Sequence, residues 1–505
     1  MRPPDRSRLP TVAASPSFSF PPVRKERLAS GLHLWCVERS TLPLVSFLLV
    51  VPAGSASDPA ALAGLASFTG DMLDEGSGAR SAIEVQEALA RIGAHLDIEV
   101  AADVTTVGLT VLSRHLARGL SLLADCVVRP SLREADVERV RQLRLNRLIQ
   151  LRDLAPAMAD RAFMESLYEG HPYGHLAIGT DEALRRMTAS DVEAFHTGAY
   201  TPDRATLIAV GDIATPDLVR AAGEAFGGWA PAGGGAPPVD FDAALTEPPA
   251  PVGRRLAIVD RPKAAQSELR VGHVAASRDT PDHAPLLVLN MVLGGQFVSR
   301  LNLKLREEKG YTYGARTSFD FRRGRGPFLL QTSVQTAVTA AALVDVFAEL
   351  EQIRGERPVT EVEMELAKAA LTRGYARNFE TSDQLARALA QLVVYRLPDD
   401  YYDRLPDRVR EVEAATMARV AATHLHPERM FALLVGDRNA LEPSLEAAGL
   451  GVPAVLAPAG PAGVSKTRRV AGSRHRDVPS QLVVSIGRPA SAQALNPPSR
   501  WATLL

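Results

Sequence analysis

Two stretches of this chain, displaced by about 220 to 225 positions, read as copies of one another, and that duplication limits the fold more than any other feature. Leu44 to Val51, followed by Gly-Ser-Ala-Ser-Asp-Pro, answers Leu269 to Ala276, followed by Ser-Arg-Asp-Thr-Pro-Asp. Each is a β-rich run leading into a turn. Helices are predicted next over Leu62 to Leu73 and Pro285 to Leu293, running into Glu-Gly-Ser-Gly and Leu-Gly-Gly-Gln, where glycine supplies a stop. Strands around Thr105 to Leu112 and Phe328 to Val334 then precede amphipathic helices carrying Leu116, Leu120, Leu123 and Val127 in one copy and Leu343, Phe347 and Leu350 in the other. Leu-Ile-Ala-Val-Gly-Asp at 207–212 finally answers Ala-Leu-Leu-Val-Gly-Asp at 432–437. Strands and helices in this order predict an α+β sandwich, with a sheet on one side and helices on the other, made twice.

Composition marks the edges of the copies. A Pro/Gly-rich stretch over 231–254 has linker character and separates a first domain, 21–230, from a second, 255–452. Residues 1–20 read as a flexible N-terminus. From 453 to 505 Ala, Pro, Gly and Ser dominate around Lys466, Arg468, Arg469, Arg474 and Arg476, which predicts a disordered tail. Lys and Arg number 57 against 58 Asp and Glu, so no global charge attracts nucleic acid. No run of apolar residues reads as a membrane span, and the N-terminus lacks the apolar core of a secretory signal. Cys36 and Cys126 sit in apolar runs typical of buried thiols. A cytoplasmic, reducing location is the expectation.

The densest stretch is residues 293–315, Leu-Gly-Gly-Gln-Phe-Val-Ser-Arg-Leu-Asn-Leu-Lys-Leu-Arg-Glu-Glu-Lys-Gly-Tyr-Thr-Tyr-Gly-Ala. Its spacing predicts a helix with Phe297, Leu301 and Leu305 on one face and Gly310 at its end, then a strand with Tyr311 and Tyr313 on one face. This stretch resembles the C-terminal half of insulinase/pitrilysin-type zinc peptidases, above all the processing-peptidase-like branch. Gly-Ser-Ala-Ser-Asp-Pro at 54–59, His-Pro-Tyr-Gly at 171–174 and the duplication resemble the same family over roughly 20–450.

That family carries an inverted zinc motif, H-x-x-E-H, on a helix of its first half. One helical turn brings both imidazoles to the metal, and the Glu activates the bound water. Here Gly-Leu-Ala-Ser-Phe-Thr-Gly-Asp-Met-Leu at 64–73 aligns without a gap, and Ser67, Gly70 and Asp71 take the motif positions. The family's third ligand, a later Glu, falls at about Arg147, and a cation does not ligate zinc. The resemblance therefore implies no metal and no cofactor in this chain. His171 and His175 have a four-residue spacing, but Pro172 and Gly174 argue against a helix that would bring them together. No G-x-S-x-G elbow, P-loop or C-x-x-C motif is present.

In the same family the second half supplies an Arg and a Tyr seven positions apart, which orient substrate and stabilise the oxyanion. Arg306 and Tyr313 match that pair. In two-chain members one subunit keeps zinc while the partner keeps this pair, and the present chain resembles the second kind. The resemblance thus implies a chain inactive alone that works with a zinc-bearing homologous subunit on an extended peptide substrate. Gly294 and Gly295 either line the chamber or serve a tight turn. A purely architectural protein of the same fold is the alternative, and a self-sufficient peptidase with a rebuilt site the third.

Overall fold

The computed structural model describes residues 18–231, 239–250 and 253–457. The first half contributes β1 (Arg24–Arg27), β2 (His33–Glu38) and β3 (Leu44–Val51), a small hairpin of β4 (Gly76–Ser77) and β5 (Arg80–Ser81), then β6 (Leu96–Val100), β7 (Thr105–Leu112) and β8 (Thr206–Gly211). Without the hairpin these form one sheet in the order β1-β2-β8-β3-β7-β6. The second half contributes β9 (Arg255–Asp260), β10 (Gln266–Val274), β11 (Ala315–Phe319), β12 (Pro327–Gln335), β13 (Phe431–Gly436) and β14 (Ala454–Leu456), ordered β11-β12-β10-β13-β9-β14. Read backwards, the second sheet repeats the first strand for strand, and the parallel pair β2 with β8 has its counterpart in β9 with β13. The copies part at one edge, where β1 runs antiparallel to β2 and β14 runs parallel to β9.

The first half also carries α1 (Leu65–Met72), α2 (Ala82–Ala90), α3 (Leu116–Val128), α4 (Glu134–Arg152) and α5 (Ala155–Tyr168). The mixed α and β architecture in two sheet-containing domains is as the sequence predicts. The one-sided sandwich is not. Helix α5 crosses to pack on β10 and β13, and the matching helix of the second half, Ser382–Val394, crosses to β3 and β8. Each sheet is thereby covered on both faces, which is why β8 and β13 are buried at every residue and β3 at all but its first. Such strands read as continuous apolar runs rather than as alternating ones. Phe163 of α5 stacks on Phe431 of β13 with ring centroids 5.6 Å apart. Leu385, Leu389 and Leu392 share a core with Leu48, Val50, Ile208 and Val210. Charge ties the crossings too: Arg387 donates to Asp97 at 3.0 Å and Glu99 at 3.1 Å, and Arg270 of β10 donates to Asp160 of α5 at 2.7 Å.

Several expected boundaries shift. Of the stretch 1–20 read as flexible, Phe18 and Phe20 are packed, Phe18 stacking on Phe379 at 4.7 Å and Phe20 on Tyr402 at 5.1 Å. The tail expected over 453–505 opens with β14, which pairs with β9, while its basic cluster lies outside the described residues. Within 231–254, residues Ala243–Leu245 form a helical turn whose Ala244 is buried. The span His283–Glu308 is, contrary to expectation, apolar and long enough to cross a membrane, but it breaks at residues 296–299 and 56% of its most apolar window is buried inside the fold. Both cysteines are buried and unpaired.

Candidate functional site

Helix α1 starts where the Asp58 carboxylate accepts from the backbone N–H groups of Gly64, at 2.6 Å, and Ala66, at 2.7 Å. A negative charge at a helix N-terminus is favoured by the orphan donors and the helix dipole. The same carboxylate lies 2.9 Å from His175 Nε2, so the Gly-Ser-Ala-Ser-Asp-Pro and His-Pro-Tyr-Gly-His segments meet at this cap. The sequence reading missed that contact; the only signal for it was that both segments belong to the same family pattern. His171 is not beside it in a shared ligand set: its Nδ1 accepts from Tyr173 N–H and its Nε2 lies 3.0 Å from the carbonyl of Thr246. Burial lowers its pKa, favouring the neutral ring.

Ser67, Gly70 and Asp71 lie on α1 against α4, and the residue that reaches them is Arg144. The sequence reading put Arg147 at about the third ligand position and did not single out Arg144. Arg144 donates to Asp71 Oδ2 at 2.5 Å, to Ser67 Oγ at 3.2 Å and to the carbonyls of Ala177 and Ile178 at 3.0 and 3.1 Å. Arg147 lies three residues further along α4, and one of its contacts is a hydrogen bond donated to Gln150 at 3.2 Å. A three-residue step is nearly one turn, but α4 buries Arg144, Leu145 and Leu148 and leaves Arg147 at the margin of that face. The Arg144 side chain is only 5% exposed.

Zinc does not fit this arrangement. Ser67 offers a neutral hydroxyl, Gly70 no donor and Asp71 one carboxylate already engaged by a guanidinium, whose charge repels a second cation. Among the described residues no group of three or more His, Cys, Asp and Glu is placed to hold a metal ion. Gly70 is also cramped, because a Cβ there would lie 3.0 Å from Val100 Cγ2 of β6. Just beyond α1, burial pushes the Asp74 carboxyl up to about 6, with the charges of Glu75 and Asp71 adding to the shift.

Arg306 and Tyr313 stand in a different setting, a cleft of about 680 Å³ that both of them line, walled mainly by the second domain with Pro156 and Asp160 of α5. The chain here departs from the expected helix and strand. It breaks at residues 296–299, so Phe297 is 61% exposed rather than on the buried face with Leu301 and Leu305. Phe297 instead lies under the Arg306 guanidinium, 4.1 Å from ring centroid to Cζ. Gly310, with φ 65°, closes the helical segment as its position predicts. The strand then starts only at Ala315, because Thr312 Oγ1 accepts from Gly314 N–H in a local turn that sets Tyr313 outside the ladder. Tyr313 is 94% exposed. Gly294 and Gly295 line the cleft and also permit a close approach: a Cβ on Gly294 would meet Thr317 N at 2.8 Å, and one on Gly295 would meet Asn290 Nδ2 at 2.7 Å.

The model for the insulinase family, peptidase family M16, matches residues 36–181, which hold α1 and Arg144, and that for the peptidase M16 inactive domain matches 186–371, which hold Arg306 and Tyr313. The chain belongs to the M16 insulinase family. It is similar to an uncharacterized zinc protease of Mycobacterium tuberculosis, 28% identical over 84% of this chain and 95% of that protein. It also resembles the beta subunit of the mitochondrial-processing peptidase of Mus musculus, 25% identical over 84% and 86% of the two chains, and the alpha subunit of Pongo abelii, 25% identical over 77% of each. Among solved structures, an M16 inactive domain from Pseudomonas fluorescens superposes with a TM-score of 0.75, covering 82% of this chain and 98% of that one at 24% identity. A protease from Helicobacter pylori gives 0.76 over 82% and 99% at 19% identity. These two likenesses concern the M16 fold.

Proposed function

We propose that this M16 chain is the non-catalytic, substrate-binding subunit of a heterodimeric zinc endopeptidase. Its partner is a homologous subunit that holds the metal, and this chain completes the partner's active site with Arg306 and Tyr313. The observation that carries the reading is the contrast between the two sites. The motif helix is closed by Arg144, whereas Arg306 and Tyr313 stand open on a cleft. An extended peptide adds to a sheet edge, where main-chain hydrogen bonds supply affinity without regard to sequence. The Arg306 guanidinium and the Tyr313 hydroxyl then donate to the carbonyl oxygen of the scissile bond as it becomes an oxyanion.

The test is turnover by the complex reconstituted with a zinc-bearing homologue. Arg306→Ala and Tyr313→Phe are each expected to lower turnover by roughly a hundredfold to a thousandfold, because each removes a donor to charge that develops only in the transition state. Affinity between the subunits is expected to stay within about threefold, since the anchors of such an interface are other, apolar residues. Unchanged turnover in an intact complex removes the reading. The second reading, an architectural protein without peptidase participation, is favoured by one feature: Arg306 already has local partners in the Phe297 ring and in Glu307, 3.5 Å away.

A further inference from the structure

Three arginines line the cleft that holds Tyr313, and they are not equivalent. Arg270 is buried between Asp160 and Glu268, at 2.7 and 3.1 Å, and its charge is already answered. Arg306 stacks on Phe297 and has Glu307 within 3.5 Å. The side chain of Arg316, on the edge strand β11, makes no hydrogen bond and no ion pair among the described residues, although it is part of the cleft wall. The nearby acids are taken: Asp160 and Glu268 by Arg270, Asp320 by Arg322 at 2.7 Å, and Asp103 by the Tyr173 hydroxyl at 2.6 Å and the Arg323 backbone N–H at 2.9 Å.

Strand register places Arg316 directly opposite Gln331 of β12, and Gln331 opposite Arg270 of β10. Residues directly across a sheet share a face, so Arg316, Gln331 and Arg270 form one row on the face that looks toward the first half. The amide of Gln331, like Arg316, has no hydrogen-bond partner among the described residues. Arg316 and Gln331 also line a second, more enclosed cavity of about 130 Å³ between the halves, whose walls include Phe163, Met164 and Leu329. They therefore stand where the open cleft meets an enclosed space large enough for one side chain.

We propose that Arg316 and Gln331 form a carboxylate-binding subsite beside the Arg306/Tyr313 cleft, which selects peptides carrying a negative charge. This rests on the reading that the cleft receives an extended peptide. A guanidinium presents paired N–H donors that match a carboxylate, and a side-chain amide adds one more. A basic side chain at the same point meets two arginines without a free acid to receive it. The carboxylate comes either from an acidic side chain or from the peptide's own C-terminus.

The experiment is fluorescence anisotropy on the full chain with matched labelled peptides of one length. One carries an internal Glu and an amidated C-terminus, the second has Gln in its place and an amidated C-terminus, and the third has that Gln and a free C-terminus. The Glu peptide, the free-terminus peptide or both are expected to bind about tenfold to a hundredfold more tightly than the neutral one, and whichever gains names the source of the carboxylate. In Arg316→Gln that advantage is expected to collapse while the neutral peptide keeps its affinity. In Arg316→Lys, which keeps the charge and loses the fork, part of the advantage is expected to remain. Equal affinity for all three peptides in the natural chain overturns the subsite and leaves peptide binding standing. Absence of binding by every peptide overturns the peptide reading and the subsite with it. Unchanged melting temperatures of the variants show that the exposed, unpartnered position does not report on folding.

Discussion

The two copies share a strand order, and they diverge most in the connection between the third strand of that pattern and the edge strand. In the first copy, β3 leads to α1, whose motif face is closed by Arg144, and the chain returns to the edge at β6. In the second, β10 leads to the helix His283–Asn290, which runs on to Gly295, breaks, re-forms to carry Arg306, and delivers Tyr313 just before the edge strand β11. Central strands buried on both faces tolerate little change, because each substitution disturbs close-packed neighbours on two sides. The connection packs on one side and faces open space on the other. The fold therefore constrains the first kind of residue more tightly than the second.

The edges differ in the same way. On β6, Asp97 and Glu99 are both engaged by Arg387 of the crossing helix; on β11, Arg316 has no acid. The crossing helices themselves carry opposite charges, Arg387 in one and Asp160 in the other, each paired to the sheet of the opposite half.

The sharpest way to break this comparison is to give the first copy its metal. Ser67→His, Gly70→Glu and Asp71→His together are expected to bind no stoichiometric zinc, and adding Arg147→Glu is expected to leave the metal content unchanged. Adding Arg144→Glu instead removes the resident cation and places a carboxylate where the guanidinium now sits, so metal analysis is expected to find close to one zinc per chain. Uptake with Arg147→Glu and none with Arg144→Glu reverses the assignment. The Gly70→Glu step also forces Val100 to give way, so a loss of thermal stability rather than a gain from helix propensity is expected from it alone.

Equivalence of the crossings is tested in the cores. Phe163→Ala is expected to cost about 3 to 5 kcal/mol and Leu389→Ala about 2 to 5 kcal/mol in denaturant unfolding, since both side chains are fully buried. If one variant is destabilised by less than about 1 kcal/mol, that crossing carries little of the fold and the symmetry is superficial.

A smaller effect separates the copies by pH. Burial raises the Asp74 carboxyl to about 6, above its value of about 4 in an unfolded chain. The folded state therefore holds the proton more tightly. The contribution of Asp74 to stability is greatest below about pH 4 and falls as pH rises through about 6, by up to about 3 kcal/mol. Asp74→Asn is expected to abolish that decline, so its advantage over the natural chain appears in melts at pH 7 and vanishes near pH 4. Parallel profiles for both proteins remove the assignment. Least affected is the exposed pair of Lys25 and Asp399, which joins β1 to the second half at 2.6 Å; Asp399→Ala is expected to cost under about 1 kcal/mol.

Much of the fold was legible because duplication is a long-range signal: two runs such as Leu207–Val210 and Ala432–Val435 need no boundary precision to be recognised as equivalents. The crossings were not legible. A strand covered by its own helices and a strand covered by a neighbour's give the same apolar run, and nothing in Leu44–Val51 says whose side chains meet it. The motif positions Ser67, Gly70 and Asp71 could be read because they align without a gap. Arg144 was missed because counting residues along a helix fixes a position only to within a turn, whereas contact depends on which face α4 turns toward α1. Tyr313 was read into a strand because its alternation with Tyr311 imitates one, and the Thr312 turn that keeps it out is a side-chain hydrogen bond that periodicity does not register.

The exchange of one helix between the halves means that neither half owns a complete fold. Severed between β8 and β9, the chain would yield two pieces, each with a bare sheet face and a helix fitted to the other piece. Expressed singly, such pieces expose continuous apolar strands and invite aggregation. Expressed together, they have the complementarity of a split reporter, and the molecule would reassemble from two polypeptides with its cleft intact. During synthesis the same exchange delays completion: the first sheet waits for a helix that begins about 170 residues later, and until Ser382–Val394 arrives that face depends on whatever else in the cell will shield it.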